Sequence, residues 1–170
     1  MGQKALLIAI IGSVVVLMAG CTNSSSQEQK AYSPHIDPAH FTTKIDNEYF
    51  PMKPGTTFLY EGGTEHSEMS VTSDTKMVMG VECVVVDHRE WEGEKLIEKT
   101  YDWFAQDRDG NVWYLGEDTT AYDRRGRADT GGSWEAGVDG ADGCVCRGVA
   151  SVAPCCGWAR GVDGCCGRGP

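Results

Sequence analysis

Cys21 is the residue whose surroundings point most directly to a chemical modification. A single lysine, Lys4, precedes a predominantly apolar stretch over residues 5–18, and small residues follow up to Gly20. This order of basic, apolar and small-residue segments is that of a secretory signal. Residues 17–21, Leu-Met-Ala-Gly-Cys, resemble a bacterial lipobox. We therefore predict cleavage between Gly20 and Cys21 and lipidation of the Cys21 thiol. A transmembrane anchor, the alternative, would need roughly 20 apolar residues.

Six further cysteines lie within the last 28 residues of the sequence. They form a Cys-Val-Cys tripeptide at 144–146 and adjacent pairs at 155–156 and 165–166. The pairs lack the two-residue gap of common zinc sites, and no histidine lies nearby, whereas adjacent cysteines do occur in disulfide-rich secreted folds. Gly, Ala, Arg, Pro and Cys are also what GC-rich DNA encodes out of frame. We interpret residues 142–170 as an aberrant, out-of-frame tail; a metal-binding or disulfide-stapled tail is the alternative.

The acidic stretch around Asp107 is a candidate calcium loop, but its register does not fit. With Gly110 at the sixth position of an EF-hand loop, Ala105 and Gly116 occupy the first and twelfth positions, where acidic ligands are needed. Asp-Gly instead suits a tight turn. We predict a hairpin with the three-residue loop 108–110, which pairs Asp107 with Asn111 and gathers apolar side chains on one face. Those side chains are Tyr101, Trp103, Ala105, Trp113 and Leu115; a two-residue loop would set Phe104 and Gln106 opposite Leu115 and Trp113.

Four aromatic residues are candidates for a ligand-facing surface, although burial in the core is the alternative for such large side chains. They are Trp91, Trp103, Trp113 and Tyr114.

Catalytic signatures are missing from the sequence: it contains no Gly-x-Ser-x-Gly, His-Glu-x-x-His or phosphate-binding glycine loop. His66 and His88 could act as bases, but neither has a recognisable nucleophile nearby. His88 lies in the charged run Asp-His-Arg-Glu, which predicts a surface ion pair. Glu117 and Asp118 are expected to be solvated at a strand end, and they are the acids that an alternative hydrolase function would use.

Cys83 alternates with Val81 and Val85, which places the three on one face of a predicted strand. We expect a buried cysteine there. In an exported protein, an unpaired cysteine predicts a missing disulfide partner.

Short β-rich segments separated by turn residues predict an all-β fold, an antiparallel meander forming a curved sheet or half-barrel. Domain organisation follows from composition: a signal peptide at 1–20, a flexible tether at 21–40, and an incomplete β-rich domain at 41–141 ahead of the tail. His35 and His40 in the tether have no further metal ligands at suitable spacing. The predicted strands cover residues 57–60, 68–73, 76–81, 83–89, 95–106, 111–115 and 120–123.

The chain carries a formal charge of -10. Loss of residues 1–20 removes one lysine and no acid, which leaves -11. So acidic a protein is not expected to bind nucleic acid or anionic lipid head groups through its surface. Its membrane partner would be reached through acyl chains on Cys21, on the periplasmic or exterior face of a bacterial cell envelope.

Residues 45–141 resemble a family of uncharacterised bacterial exported proteins and lipoproteins. The resemblance implies a fold but no assigned activity. It also implies further strands after residue 141 and a cysteine there that would pair with Cys83, so we expect a truncated domain with an exposed sheet edge. The matching segments are IDNEYFPMKPGTTFLYEG (45–62), GVECVVV (80–86), YDWFAQD (101–107), DGNVWYLGED (109–118) and GSWEAGVDGA (132–141).

Taken as a whole, these features favour an envelope-anchored lipoprotein that acts as a non-catalytic binding or envelope-associated module. No cofactor is predicted. An envelope hydrolase and a functional Cys-rich tail are the alternatives.

Overall fold

The computed structural model describes residues 34–146. The predicted signal peptide, the lipidation site Cys21, most of the tether and residues 147–170 of the tail lie outside the described residues. At the start of the described part, Asp37 caps a short 3₁₀ helix, Pro38–His40, by accepting a hydrogen bond from the Ala39 amide at 3.1 Å. His40 Nε2 lies 3.3 Å from Asp37 Oδ2, an ion pair when the imidazole is protonated.

Nine strands follow within residues 34–146, and runs of β-branched and aromatic residues between turn glycines account for the long ones. Gly80 (φ 81°) and Gly93 (φ 60°) take the left-handed backbone conformation that the hairpin turns require. The strands are β1 (Phe41–Thr42), β2 (Thr57–Gly62), β3 (Glu65–Val78), β4 (Val81–Glu92), β5 (Lys95–Asp107), β6 (Val112–Tyr122), β7 (Ala128–Asp129), β8 (Trp134–Glu135) and β9 (Cys144–Cys146).

The strands form one antiparallel sheet in the order β2-β3-β4-β5-β6-β7, with β1 paired to β5 and both β8 and β9 paired to β6. Within the described residues β2 and β7 end the path, so the sheet is not closed into a barrel. The predicted all-β antiparallel meander is confirmed. The predicted strands 68–73 and 76–81 largely merge into the single strand β3, and 111–115 and 120–123 merge into β6. β-Bulges lie where breaks between these strands were expected.

The predicted hairpin between β5 and β6 is confirmed with its three-residue loop. The Asp107 amide donates to the Asn111 carbonyl at 2.9 Å, and Ala105 pairs with Trp113. Tyr101 does not join the apolar cluster as expected, since it remains 36 % exposed.

Both faces of the sheet carry a hydrophobic core. Successive residues of a strand point to opposite faces, so Trp103 and Phe104 belong to different cores. We call the faces the Trp103 face and the Tyr114 face. The Trp103-face core contains Val78, Val81, Cys83, Trp103, Ala105, Trp113, Leu115 and Ala136. The Tyr114-face core contains Ile45, Met52, Met69, Val71, Val84, Val86, Phe104, Val112, Tyr114, Cys144 and Cys146.

Cys83 is buried as predicted, with none of its surface exposed, and its thiol is free. Val81 is buried in the same core and Val85 packs against it, which confirms the predicted alternation. Burial, with added repulsion from the carboxylates of Glu135 and Glu82, raises the pKa of the Cys83 thiol to about 12.

The predicted tail begins inside the sheet. Strand β9 pairs Cys144 with Tyr114 and Cys146 with Val112, and both cysteines are buried and disulfide-bonded. The expected boundary at residue 141 therefore falls just before a strand. At the other end, Ile36 of the predicted tether packs against the Trp103-face core.

Candidate functional site

A row of polar side chains crosses the Tyr114 face next to its apolar core. Asp102 of β5 lies between Val86 of β4 and Glu117 of β6 in the strand register. Two residues further along each strand, on the same face, His88, Thr100 and Thr119 lie side by side. All three of these, with Asp102 and Glu90, are buried polar residues.

A β-bulge brings Tyr114 and Glu117 to the same face. Residues three apart on a regular strand point to opposite faces. Here Phe104 pairs with Tyr114 while Trp103 pairs with Gly116, so one extra residue is inserted in β6. Glu117 thereby lies opposite Asp102, beside the Tyr114 hydroxyl.

Five side chains on this face form a continuous sequence of polar contacts, which we call the polar chain. Tyr114 Oη lies 2.5 Å from Glu117 Oε2 and 2.5 Å from Asp102 Oδ1. His88 follows, with Nδ1 3.6 Å from Asp102 Oδ2 and Nε2 3.5 Å from Glu90 Oε1. The polar chain thus runs from Glu117 through Tyr114, Asp102 and His88 to Glu90.

The two short contacts of Tyr114 require a proton beyond its own. A tyrosine hydroxyl has one hydrogen, and an ionised carboxylate can only accept. The hydrogen serves one carboxyl at a time, so the other 2.5 Å contact needs a protonated carboxyl. Burial and the charges of Asp102 and Glu98 raise the pKa of Glu117 to about 7, even though hydrogen bonds from Tyr114 and Trp134 lower it. This raised pKa assigns that proton to Glu117 below about pH 7.

Tyr114 itself remains a phenol. Burial first, and then the charges of Asp102 and Glu117, raise its pKa well above the ordinary value. The hydroxyl is a fixed hydrogen-bonding group between two carboxyls, not a base.

Glu90 at the opposite end of the polar chain is also poised near neutrality. Burial raises its pKa to about 7; the charge of His88 opposes the shift, and the charges of Glu98 and Asp102 add to it. His88, which is 7 % exposed, has a raised pKa: burial lowers it, but the hydrogen bond and charge of Asp102 and the charge of Glu90 outweigh burial. The predicted surface ion pair of His88 is wrong, because the ion pairs it makes are buried.

A pocket opens at each end of the polar chain. The one at Glu90, of about 210 Å³, lies between the ends of β2, β3 and β4 and is bordered by Tyr60, His66 and Trp91. The one at Glu117, of about 400 Å³, is bordered by Trp103 and Trp134. We call them the Glu90 pocket and the Glu117 pocket.

The four predicted ligand-facing aromatics are not brought together. Trp91 stacks on His66 with ring centroids 4.8 Å apart and lines the Glu90 pocket. Trp103 and Trp113 are in the Trp103-face core, and Tyr114 is on the other face. Each of the last three is at most 9 % exposed, as the core alternative anticipated.

The acids singled out in the sequence have different environments. Glu117 is not solvated as expected, since it is held against Tyr114, whereas Asp118 borders the Glu117 pocket. Asp107 organises the hairpin turn, accepting hydrogen bonds from Asn111 and from the Trp113 indole. Among the described residues, no group of three or more His, Cys, Asp or Glu side chains could hold a metal ion.

Sequence reasoning missed Asp102 and Glu90 as parts of the site. A signal for Asp102 was available, since it immediately precedes the apolar Trp103-Phe104-Ala105 of a predicted buried strand. An acid in such a strand needs a hydrogen-bonding partner on its face. Glu90 gave no signal, because its run of charged neighbours is typical of an exposed strand.

Comparison of the chain with family models, with curated proteins and with solved structures found no match. Over residues 34–146, no helix has the length and apolar character needed to cross a membrane.

Proposed function

We propose that this protein is a non-catalytic binding module of the bacterial cell envelope whose ligand occupies the Glu90 pocket. The observation that carries the proposal is the placement of Glu90. Glu90 is 9 % exposed and lines the pocket, and its Oε1 lies 3.5 Å from His88 Nε2 but accepts no hydrogen bond within the described part of the chain. A buried carboxyl with incomplete hydrogen bonding is costly, and a ligand in the pocket that pairs with the Glu90 carboxyl would offset part of that cost.

The rest of the polar chain supports a binding role. Tyr114 fills the space between the carboxyls of Asp102 and Glu117, at 2.5 Å from each. A carboxyl pair that acts on a substrate needs room for a bond or a water molecule between its members. Because the Tyr114 hydroxyl already occupies the space between the Asp102 and Glu117 carboxyls, the hydrolase alternative has less support.

Envelope anchoring rests on the sequence around Cys21 and on the resemblance of residues 45–141 to exported proteins and lipoproteins. The disulfide bonding of Cys144 and Cys146 agrees with an oxidising compartment. It also favours the disulfide over the metal interpretation of these two cysteines, since metal ligation requires thiolates.

Anchoring is tested by expressing the full chain in a bacterium fed radiolabelled palmitate. We expect label in the wild-type protein and none in Cys21→Ser, with Cys83→Ser labelled as the wild type. Equal labelling of Cys21→Ser would contradict the anchor.

Ligand binding is tested by thermal unfolding in the presence of a panel of small cations, sugars, dicarboxylates and lipids. A ligand that binds the folded state raises the unfolding temperature. Ser67→Phe, which fills the Glu90 pocket, should abolish the shift, while Ser73→Phe on an exposed part of the same strand should keep it. A panel without any shift, or a shift that survives Ser67→Phe, would overturn the proposed site.

A further inference from the structure

The walls of the Glu90 pocket combine carboxyl groups with aromatic rings. Glu61, Glu65 and Glu90 supply the carboxyl groups, and Tyr60 and Trp91 are prominent among the rings. None of the described residues that line it is lysine or arginine. Carboxylates beside aromatic rings are the surroundings in which proteins hold organic cations, through ion pairing and cation–π attraction.

Glu90 differs from the other two acids of the pocket in being buried. It is the buried member of the set, and its Oε1 has no hydrogen bond within residues 34–146. Its charged partner is His88, whose Nε2 lies 3.5 Å from Glu90 Oε1. The other ring nitrogen of His88, Nδ1, faces Asp102. One imidazolium can balance only one of these two carboxylates.

The basic side chains of the neighbouring strand positions point to other partners. Arg89 donates to Asp87 at 2.9 Å, and Lys95 Nζ donates to the carbonyl oxygen of Asp123 at 2.7 Å. Neither lines the pocket. Cationic groups on these two side chains therefore do not supply the counter-charge to Glu90.

We propose that the Glu90 pocket binds a small organic cation, an alkylammonium group whose charge pairs with Glu90 and whose carbon atoms lie against Tyr60 and Trp91. This rests on the proposed function and specifies its ligand class. The volume of about 210 Å³ is below the usual range for drug-sized ligands, which restricts the ligand to a few carbon atoms around the charge. An inorganic cation is disfavoured, because no described set of three acids, histidines or cysteines converges to ligate one.

The test uses the full chain and three probes of similar shape: n-butylammonium, n-butanol and butyrate. Total chloride is held constant at pH 8, above the pKa of Glu90 of about 7, and binding is measured by calorimetry and by tryptophan fluorescence. We expect butylammonium to bind at least about tenfold more tightly than the alcohol or the acid, the range that a hydrogen bond to a charged group provides.

Variants locate the binding. Glu90→Gln should weaken butylammonium binding about tenfold or more, and Trp91→Leu should weaken it several-fold. Glu94→Gln removes the same charge from the adjacent exposed turn and should leave affinity within about twofold, since exposed charges are screened. A cooperative thermal unfolding transition would show that each variant is folded.

The failures are distinguishable. If butanol or butyrate binds as well as butylammonium and Ser67→Phe removes the binding, the result supports the Glu90 pocket as the ligand site and contradicts its preference for organic cations. If butylammonium binds equally to wild type and Glu90→Gln, the assignment to Glu90 is overturned. Absence of butylammonium binding to the wild type overturns the inference, while a pocket-dependent shift with another ligand class would leave the proposed function in place.

Discussion

Gly116 of β6 lies opposite Trp103 of β5 with no room for a side chain between them. A β-carbon at position 116 would come within 2.8 Å of the Trp103 indole and 2.6 Å of the carbonyl oxygen of Trp134. The backbone at Gly116 has φ 147°, a conformation that other residues rarely adopt. This close approach accommodates the β-bulge that turns Glu117 to the face of Tyr114. The carboxyl–tyrosine contacts of the site therefore depend on a glycine that touches none of them.

Gly116→Ala is expected to reduce the free energy of unfolding by about 2 kcal/mol or more, because it adds both a steric overlap and backbone strain. Urea unfolding measures the change. Gly62→Ala is the control, since no atom lies within 4 Å of a β-carbon there and its φ is not in the left-handed range. We expect that control to change by less than about 1 kcal/mol. Equal losses in the two variants would count against a tight contact at Gly116.

Removal of the Tyr114 hydroxyl is expected to destabilise the fold by about 1–3 kcal/mol, because Asp102 and Glu117 both lose a buried hydrogen-bonding partner. The measurement is urea unfolding of Tyr114→Phe. Tyr101→Phe is the matched control, because Tyr101 is exposed and its hydroxyl accepts a hydrogen bond from the Lys99 ammonium at 2.8 Å. A similar loss from both variants would contradict a special role for Tyr114.

Stability is expected to fall as the pH rises from about 4.5 towards 7. Glu90 and Glu117 have folded-state pKa values of about 7 against an ordinary 4.5. Above 4.5 the unfolded chain releases protons that the folded protein retains, so unfolding becomes progressively easier until both groups ionise in the folded state. The raised pKa of His88 acts in the same direction. Ionisation of each glutamate accounts for a loss on the order of 3 kcal/mol in the free energy of unfolding between pH 4.5 and above 7.

Urea unfolding between about pH 5 and pH 8 measures this dependence. Glu117→Gln, which mimics the protonated acid, should reduce the slope by removing the contribution of Glu117, whereas Glu94→Gln in an exposed turn should preserve it. The same slope in Glu117→Gln as in the wild type would show that Glu117 does not retain its proton.

Asp107→Ala is expected to cost about 2 kcal/mol or more of stability, since several donors in the β5–β6 turn lose their acceptor. The Asp107 carboxylate accepts from the amide of Asp109 at 3.0 Å, the amide of Asn111 at 2.9 Å and the indole of Trp113 at 2.8 Å. Asp109→Ala in the same loop should cost less than about 1 kcal/mol, because its side chain is exposed. Thermal unfolding of the two variants measures the difference in stability. A larger loss of stability in Asp109→Ala than in Asp107→Ala would contradict this account of the turn.

Cys83 is expected to resist alkylation by iodoacetamide in the folded protein, because its thiol is fully buried and burial raises its pKa to about 12. Mass spectrometry of the peptide that contains residue 83 measures the labelled fraction. We expect labelling near zero without denaturant and complete labelling in urea. Rapid labelling of the folded protein would contradict the burial of Cys83.

The meander and the β5–β6 hairpin could be predicted because they depend on nearest neighbours in the chain. Asp109-Gly110 favours a tight turn, and the alternation of Trp103, Ala105, Trp113 and Leu115 then selects one register. The burial of Cys83 followed from the same alternation. Such local patterns predict the fold because each strand from β2 to β6 pairs with the next strand along the chain.

The polar chain could not be predicted because it depends on the sheet being covered on both faces and on the bulges. His88 and Glu90 read as surface residues, since nothing in their own strand shows that Asp102 and Tyr114 will lie across from them. Glu117 read as a strand end, because regular alternation puts it on the face opposite Tyr114.

By itself, then, the sequence determined the all-β class, the antiparallel pairing of consecutive long strands and the hairpin register, through local turn chemistry and period-two alternation. It also carried the prediction of lipidation at Cys21, which depends on linear motifs alone. Only the tertiary structure decided which acids are buried and which pocket Glu90 lines. Burial and pKa depend on what several strands place around a side chain, and a one-residue bulge at Gly116 is enough to reverse the face of everything after it.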